Sequence, residues 1–205
     1  MITIKHTFLA TVILDGCILP NRWEIKIDLL TDGKGSGTDI SIACERVNVY
    51  VETMLDNCML VGPEAMEDIL SEGTMFYAGI HPLVDDPYDH IFAICLYTKL
   101  NAILEGVLLV DSVWIESYQG NGISHTHSSE DDDGNILDKI VDPKWKKYAE
   151  YWKSKDPSFY KSEKGEVTLL KQTWEEVKLG YDKDKKKSKD GIIREFTVIE
   201  GDKEK

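Results

Sequence analysis

Basic residues are scarce relative to acids in this 205-residue chain: 24 lysines and arginines stand against 37 aspartates and glutamates, a net charge of −13. Such a field repels phosphate backbones and anionic headgroups, so neither nucleic acid nor a membrane surface is expected as a general partner. Cysteine is scarce too. Cys17, Cys44, Cys58 and Cys95 show no paired spacing, which argues for reduced thiols behaving as small apolar groups. No apolar run approaches the ~20 residues that cross a bilayer. Nor does a small-residue cleavage site follow residues 2–14, so no secretory leader is expected and the chain reads as cytoplasmic. Internal repeats are missing as well.

What is present is an ordinary apolar share, 42%, enough for one well-buried core. Phe8, Ala10, Val12 and Leu14 alternate along a first strand over residues 4–14. Asp15-Gly16 signals a turn and Pro20-Asn21 a second. Trp23, Ile25, Ile27 and Leu29 then alternate with Glu24, Lys26 and Asp28, a half-buried strand expected to pair antiparallel with the first. After a glycine-rich break at 31–37, Asp39 is placed to cap a helix from Ile40 to about Leu60, which Gly62-Pro63 ends. A short helix over 64–71 and an irregular apolar piece over 75–80 follow. Asp86-Pro87 opens a second long helix with Ile91, Ile94, Cys95, Thr98, Ala102 and Ile103 on its buried side, closed by Gly106. Residues 107–117 read as a strongly apolar strand.

Beyond residue 118 the texture changes. His125 and His127 place two imidazoles at a spacing suited to a shared metal, with Asp131 or Asp133 to complete the set. The surrounding serines and acids make a mobile loop the simpler reading. Asp131, Asp133, Gly134 and Ile136 also fall at calcium-loop offsets, but Ser129 and Ile140 occupy its first and twelfth positions, so a complete EF-hand is rejected. Trp145, Tyr148 and Trp152 share one side of a helix candidate, which is expected to pack on the body rather than stack on bases. The lysine-rich run at 182–190 reads as a solvated loop, and 194–200 as a last strand.

The hairpin carries a pattern. Phe8-x-Ala10-x-Val12-x-Leu14 followed by Cys17-x-x-x-Asn21-Arg22-Trp23 resembles the tunnelling-fold (T-fold) family of 6-pyruvoyl- and 6-carboxy-tetrahydropterin synthases. In that family the first strand reads Phe-x-Ala-x-His-x-Leu and the turn Cys-x-x-x-His-Gly-His. Further on, Leu55-Asp56-Asn57 stands where the family has Leu-Asp-His, and Asp86-Pro87-Tyr88-Asp89-His90 where its second helix opens with Asn-Pro-Thr-x-Glu. Glu116-Ser117 stands where a strand ends in Glu-Thr. The likeness runs in order over about residues 4–118. It implies an α+β fold, a small antiparallel sheet covered by two helices on one face. This makes a T-fold-like domain over residues 1–118, with an irregular C-terminal extension, 119–205, packed on it. A homo-oligomer with ligand sites between subunits is implied as well.

The departures bear on chemistry. The family's zinc-binding histidines fall on Val12, Asn21 and Trp23. Valine has no donor atom, an indole N–H only donates, and an amide carbonyl is a poor zinc ligand, so no metal cofactor is expected there. Without a Lewis acid the family's lyase reaction is not expected. Cys17 and Asp56 occupy the positions of the catalytic cysteine and aspartate, but the assisting histidine is Asn57, and Arg22 is the one cation nearby in sequence. Recognition is what the resemblance leaves. Glu116, with Ser117, Arg22 and His90, is expected to accept two hydrogen bonds from the amide–amidine edge of a purine-like or pterin-like ring. Two rivals stand beside that reading: an enzyme using Cys17 or the His125/His127 pair, and a structural or protein-interaction module whose old pocket is filled by Trp23.

Overall fold

Two long strands, β1 (Ile2–Leu14) and β2 (Cys17–Leu30), form the central hairpin of a computed structural model that describes residues 1–31, 35–72, 78–132 and 136–180. Their two-residue turn holds Asp15 and Gly16 at φ 51° and 72°. Both are left-handed, as a connection matching the strands' own twist requires, and an Asp-Gly pair tolerates this better than most. The register sets Phe8 opposite Trp23 and Leu14 opposite Cys17. Phe8, Ala10, Val12, Asn21, Trp23, Ile25 and Ile27 are buried beneath helices, while Thr7, Leu9, Arg22 and Glu24 point to an open face. The alternation seen in the sequence is therefore the alternation of the sheet.

Helix α1 (Gly37–Val49) is capped by Ser36, whose hydroxyl accepts the Asp39 amide N–H while the Asp39 carboxylate reaches back to the Ser36 amide. The cap expected at Asp39 thus lies three residues earlier, in a reciprocal capping box. The helix runs on as a π-helical turn, Tyr50–Leu55, with Tyr50, Val51 and Leu55 buried. It stops short of Leu60. Asn57 at φ 58° reverses the chain, and β3 (Cys58–Val61) runs parallel to β1 with Cys58 opposite Ala10. All four β3 residues are buried, so this strand has no alternation to separate it from a helix end.

Helix α2 (Pro63–Glu72) leads to β4 (Ile80–Pro82), parallel to β3, where an irregular piece was expected. Helix α3 (Asp89–Leu104) begins after Pro87 and closes through Glu105 and Gly106, both at positive φ. β5 (Leu109–Ser117) then pairs antiparallel with β2. Next come β6 (Ser124–Ser128), antiparallel to β5, α4 (Ile136–Ile140), a 3-10 turn Pro143–Trp145, α5 (Lys146–Lys153) and the hairpin of β7 (Phe159–Glu163) and β8 (Glu166–Leu170).

The order across the sheet is β6-β5-β2-β1-β3-β4-β7-β8. The α+β class stands, with two corrections. The sheet has eight strands and includes parallel pairs, so it is neither small nor wholly antiparallel. Residues after 118, expected to be irregular, supply three strands to that sheet, and the His125/His127 segment is a strand rather than a loop. Helix α3 touches α1, α5, β5 and β6, so a third helix joins the expected two in the core. There Phe92 meets Phe8, Trp23 and Trp152 edge-on at 6.2, 4.8 and 6.4 Å between ring centres. Tyr148 and Trp152 are buried, and Trp145 stacks on Tyr148. Among the described residues no helix is long and apolar enough to cross a membrane. Residues 75–77 of the apolar piece, Asp133 and Gly134, the lysine-rich run and the segment 194–200 lie outside the described residues.

Candidate functional site

β2 and β5 bring Arg22, Glu24, Glu116 and Ser117 to one end of the sheet. Trp23 is registered with Ser117 and Glu24 with Glu116. Since side chains alternate, Trp23 and Ser117 face the helices, whereas Glu24 and Glu116 face outward. After β5 the Tyr118 amide donates to Arg22 O (2.9 Å) and the Gln119 amide to Asn21 Oδ1 (3.1 Å), which ties the turn at 118–122 to β2. Ser117 Oγ donates to Asp89 Oδ1 (2.9 Å) and accepts the Gly120 amide (3.0 Å). Its hydroxyl is thus committed to fixing the turn.

Two clefts meet at this end. One, of about 270 Å³, is lined by Arg22, Glu24, Glu116, Ser117, Tyr118, Asn121 and Gly122. The other, of about 420 Å³, is lined by Leu9, Ala10, Thr11, Pro20, Asn21, Arg22, Asn57 and Tyr118. Arg22 and Tyr118 border both. Tyr118 is 84% exposed, an aromatic wall with no cover. Arg22 Nη2 donates to Glu24 Oε1 at 2.9 Å. Glu116 lies across from Glu24, and among the described residues its carboxylate has neither hydrogen-bond nor ion-pair partner. Like carboxylates directly opposite on neighbouring strands repel, and a donor-bearing ligand relieves that cost.

Against the models of known protein families, and against curated proteins, the chain finds no match.

The positions of the expected zinc ligands are filled by packing. Trp23 is 0% exposed, parallel to Phe8 at 6.3 Å and 8°. Val12 is buried, and Asn21 Oδ1 already holds the Gln119 amide. Trp23 Nε1 is buried without a partner, a desolvation cost that the ring's packing offsets. Among the described residues no group of three or more histidines, cysteines, aspartates or glutamates is placed to hold a metal.

Cys17 and Asp56 are not brought together. Cys17 is exposed at the hairpin turn opposite Leu14, whereas Asp56 Oδ1 accepts the Leu9 amide (3.0 Å). Five residues of strand at ~3.3 Å each separate Leu9 from Leu14. Asp56 Oδ2 also accepts from the Asn57 side-chain Nδ2 (2.8 Å), while the Asn57 backbone N–H donates to Leu9 O (2.7 Å), so both residues fasten the reversal into β3 to β1. His90 lines neither cleft. It is exposed on the first turn of α3, 6.0 Å from the Tyr88 ring and 5.6 Å from the His125 ring.

His125 and His127 do share a face of β6, and that face is turned toward α3. His127 packs edge-on to Tyr97 at 4.8 Å, its Nε2 buried without a partner, and burial holds its basicity below the ordinary value. Asp131 accepts the Ser128 hydroxyl (2.7 Å) and amide (3.0 Å), which lower its pKa and cap the strand end. Tyr118 and Asn121 escaped the sequence reading, and Asn57, read there only as a lost histidine, lines a cleft. The signal at Tyr118 is a lone aromatic before the turn formers Gln-Gly-Asn-Gly, which periodicity does not register.

Proposed function

We propose that the protein is a zinc-free, T-fold-like relative of the tetrahydropterin synthases that binds a planar purine-like or pterin-like molecule without turnover, as a sequestering or sensing protein of the cytoplasm. The observation that carries this reading is the unpartnered Glu116 carboxylate between Arg22 and the exposed Tyr118 ring, where two clefts join. A carboxylate in that setting accepts two parallel N–H groups from an amide–amidine edge. The phenol ring offers a stacking face, and the Arg22 guanidinium offers donors to a ring carbonyl. The run β6-β5-β2-β1, antiparallel throughout with α3 across it, supports the fold half of the reading. Side chains at 12, 21 and 23 offer no zinc ligand, and the exposed Cys17 thiol lines neither cleft, so binding rather than lyase chemistry is the function assigned. A homo-oligomer belongs to the proposal, because among the described residues β6 and β8 are edge strands with no further strand beside them.

Calorimetry of the folded protein against guanine, guanine nucleotides and oxidised and reduced pterins tests it. Saturable binding that Glu116→Gln weakens at least tenfold is the expected result, and silence across the panel rejects the reading. A second reading, a protein-interaction module, is favoured by Trp23, which fills the expected pocket, and by the exposed Leu9, Ile18 and Ile123. It predicts a complex that Tyr118→Asp dissolves while the small-molecule panel stays silent.

A further inference from the structure

The β7–β8 hairpin meets the rest of the sheet through one backbone pair, Ile80 opposite Tyr160. So short a junction leaves most of the fastening to side chains. A sealed polar cluster stands beside it. His81, on β4, approaches Met54 O through Nε2 (2.8 Å) and the Tyr151 hydroxyl through Nδ1 (2.6 Å). That hydroxyl also lies 2.7 Å from Ser158 O. Lys99, on α3 and 0% exposed, donates from Nζ to Ser154 O (2.6 Å) and Asp156 O (2.7 Å). Two buried side chains, Lys99 and Tyr151, thus hold carbonyls of the segment 154–158 that leads into β7, and His81 anchors the Tyr151 hydroxyl to β4.

Counting hydrogens shows what is unusual about this grip. Carbonyls only accept, so Nε2 of His81 carries a hydrogen. With His81 neutral, the single Tyr151 hydrogen serves either Nδ1 or Ser158 O, and the other short contact sets lone pair against lone pair. All the contacts are served when His81 is an imidazolium. The cluster already holds a second basic group, Lys99, whose bonded partners are uncharged carbonyls. Adding a further proton puts two cations in one dry pocket. The titratable groups facing it are Tyr50 from the π-helical turn, Cys58 from β3, Cys95 from α3, Tyr151 from α5, Tyr160 from β7 and Asp156 on the gripped segment itself. Among them Asp156 is the one whose charge favours the Lys99 ammonium.

We propose that His81, Lys99 and Tyr151 form an acid-released latch that holds residues 154–158, and with them the β7–β8 hairpin, against β4. Docked, the cluster has room for one positive charge; opened to water, both basic groups are protonated. Opening therefore takes up a proton. Burial, with Lys99 as a further cause, holds the His81 pKa down to about 4 from 6.5, and burial holds Lys99 down to about 7 from 10.5. A pKa lowered by docking makes the docked form lose ground as pH falls from the free value toward the docked one. For His81 that window is pH 6.5 to about 4.

Hydrogen exchange of the full chain, corrected for intrinsic rates, reads the latch directly. Peptides covering 154–170 are expected to open more readily as pH falls through this window, approaching tenfold per pH unit, and to do so at a lower opening free energy than β1–β2 peptides, which exchange through global unfolding. His81→Gln removes the titrating ring and flattens the slope. Lys99→Met removes the repelling ammonium, and the His81 imidazole resonance then titrates closer to its ordinary midpoint. A slope that persists in His81→Gln, or opening of 154–170 only together with β1–β2, overturns the proposal. Where that variant does not fold, the wild-type imidazole resonance decides: an ordinary midpoint overturns the latch, and a depressed one upholds it.

Discussion

Trp23 has its whole indole out of water, stacked on Phe8 and edge-on to Phe92, in a position that the family resemblance assigns to a metal ligand. Its neighbour in register, Ser117, lies on the same face, and Glu116 on the other. Effects at these two places therefore separate. Trp23→Ala opens a cavity and is expected to cost about 3–5 kcal/mol in urea unfolding. Glu116→Gln and Tyr118→Ala, at the open face, are expected to change stability by no more than about 0.5 kcal/mol while they weaken the proposed ligand binding at least tenfold. The thiols divide in the same way. Cys17 is exposed, while burial pushes the Cys58 thiol far above its ordinary value and raises Cys95 to about 12. A thiol reagent at neutral pH should label Cys17 rapidly in the native protein and reach Cys58 and Cys95 after unfolding. Labelling of either at the Cys17 rate contradicts the packing described.

At the scale of elements, the capping box at Ser36 and Asp39 sets where α1 begins. Ser36→Ala leaves amide donors of the first turn without a partner, and a loss of about 1 kcal/mol is expected in the denaturation midpoint. Elements with a strong period were legible beforehand. The β1–β2 hairpin followed from its alternation and its Asp-Gly turn, and α3 from its apolar stripe between Pro87 and Gly106. β3 and β4 were not legible, because four and three consecutive buried residues carry no period. β6 was missed because Ser124–Ser128 is polar at every position, although His127 is buried by α3. Of the site, Glu116, Ser117 and Arg22 were legible from the motif, and they line one cleft. Tyr118 depends on where the following turn folds back, and the burial of Lys99 on carbonyls more than fifty residues away. Neither fact is local.

For the whole molecule, the acid limb of stability has a sign fixed by its ion pairs. Lys26 and Thr3 hold the Asp28 carboxyl below its ordinary value, Lys147 and Tyr148 do so for Glu67, and Lys155 and Arg46 for Glu105. Each adds stability that is fully present above the ordinary carboxylate range and is lost as pH falls through the lowered value. His81 acts earlier, over pH 6.5 to about 4. The urea midpoint should therefore decline in two stages on acidification, and His81→Gln should erase the first. A midpoint level from pH 7 down to 4 speaks against both. The chain's last described third also joins the outermost margins of the architecture, β6 at one side and β7–β8 at the other. It behaves as a strap passed around the central hairpin, so severing it at one point is expected to loosen both flanks together.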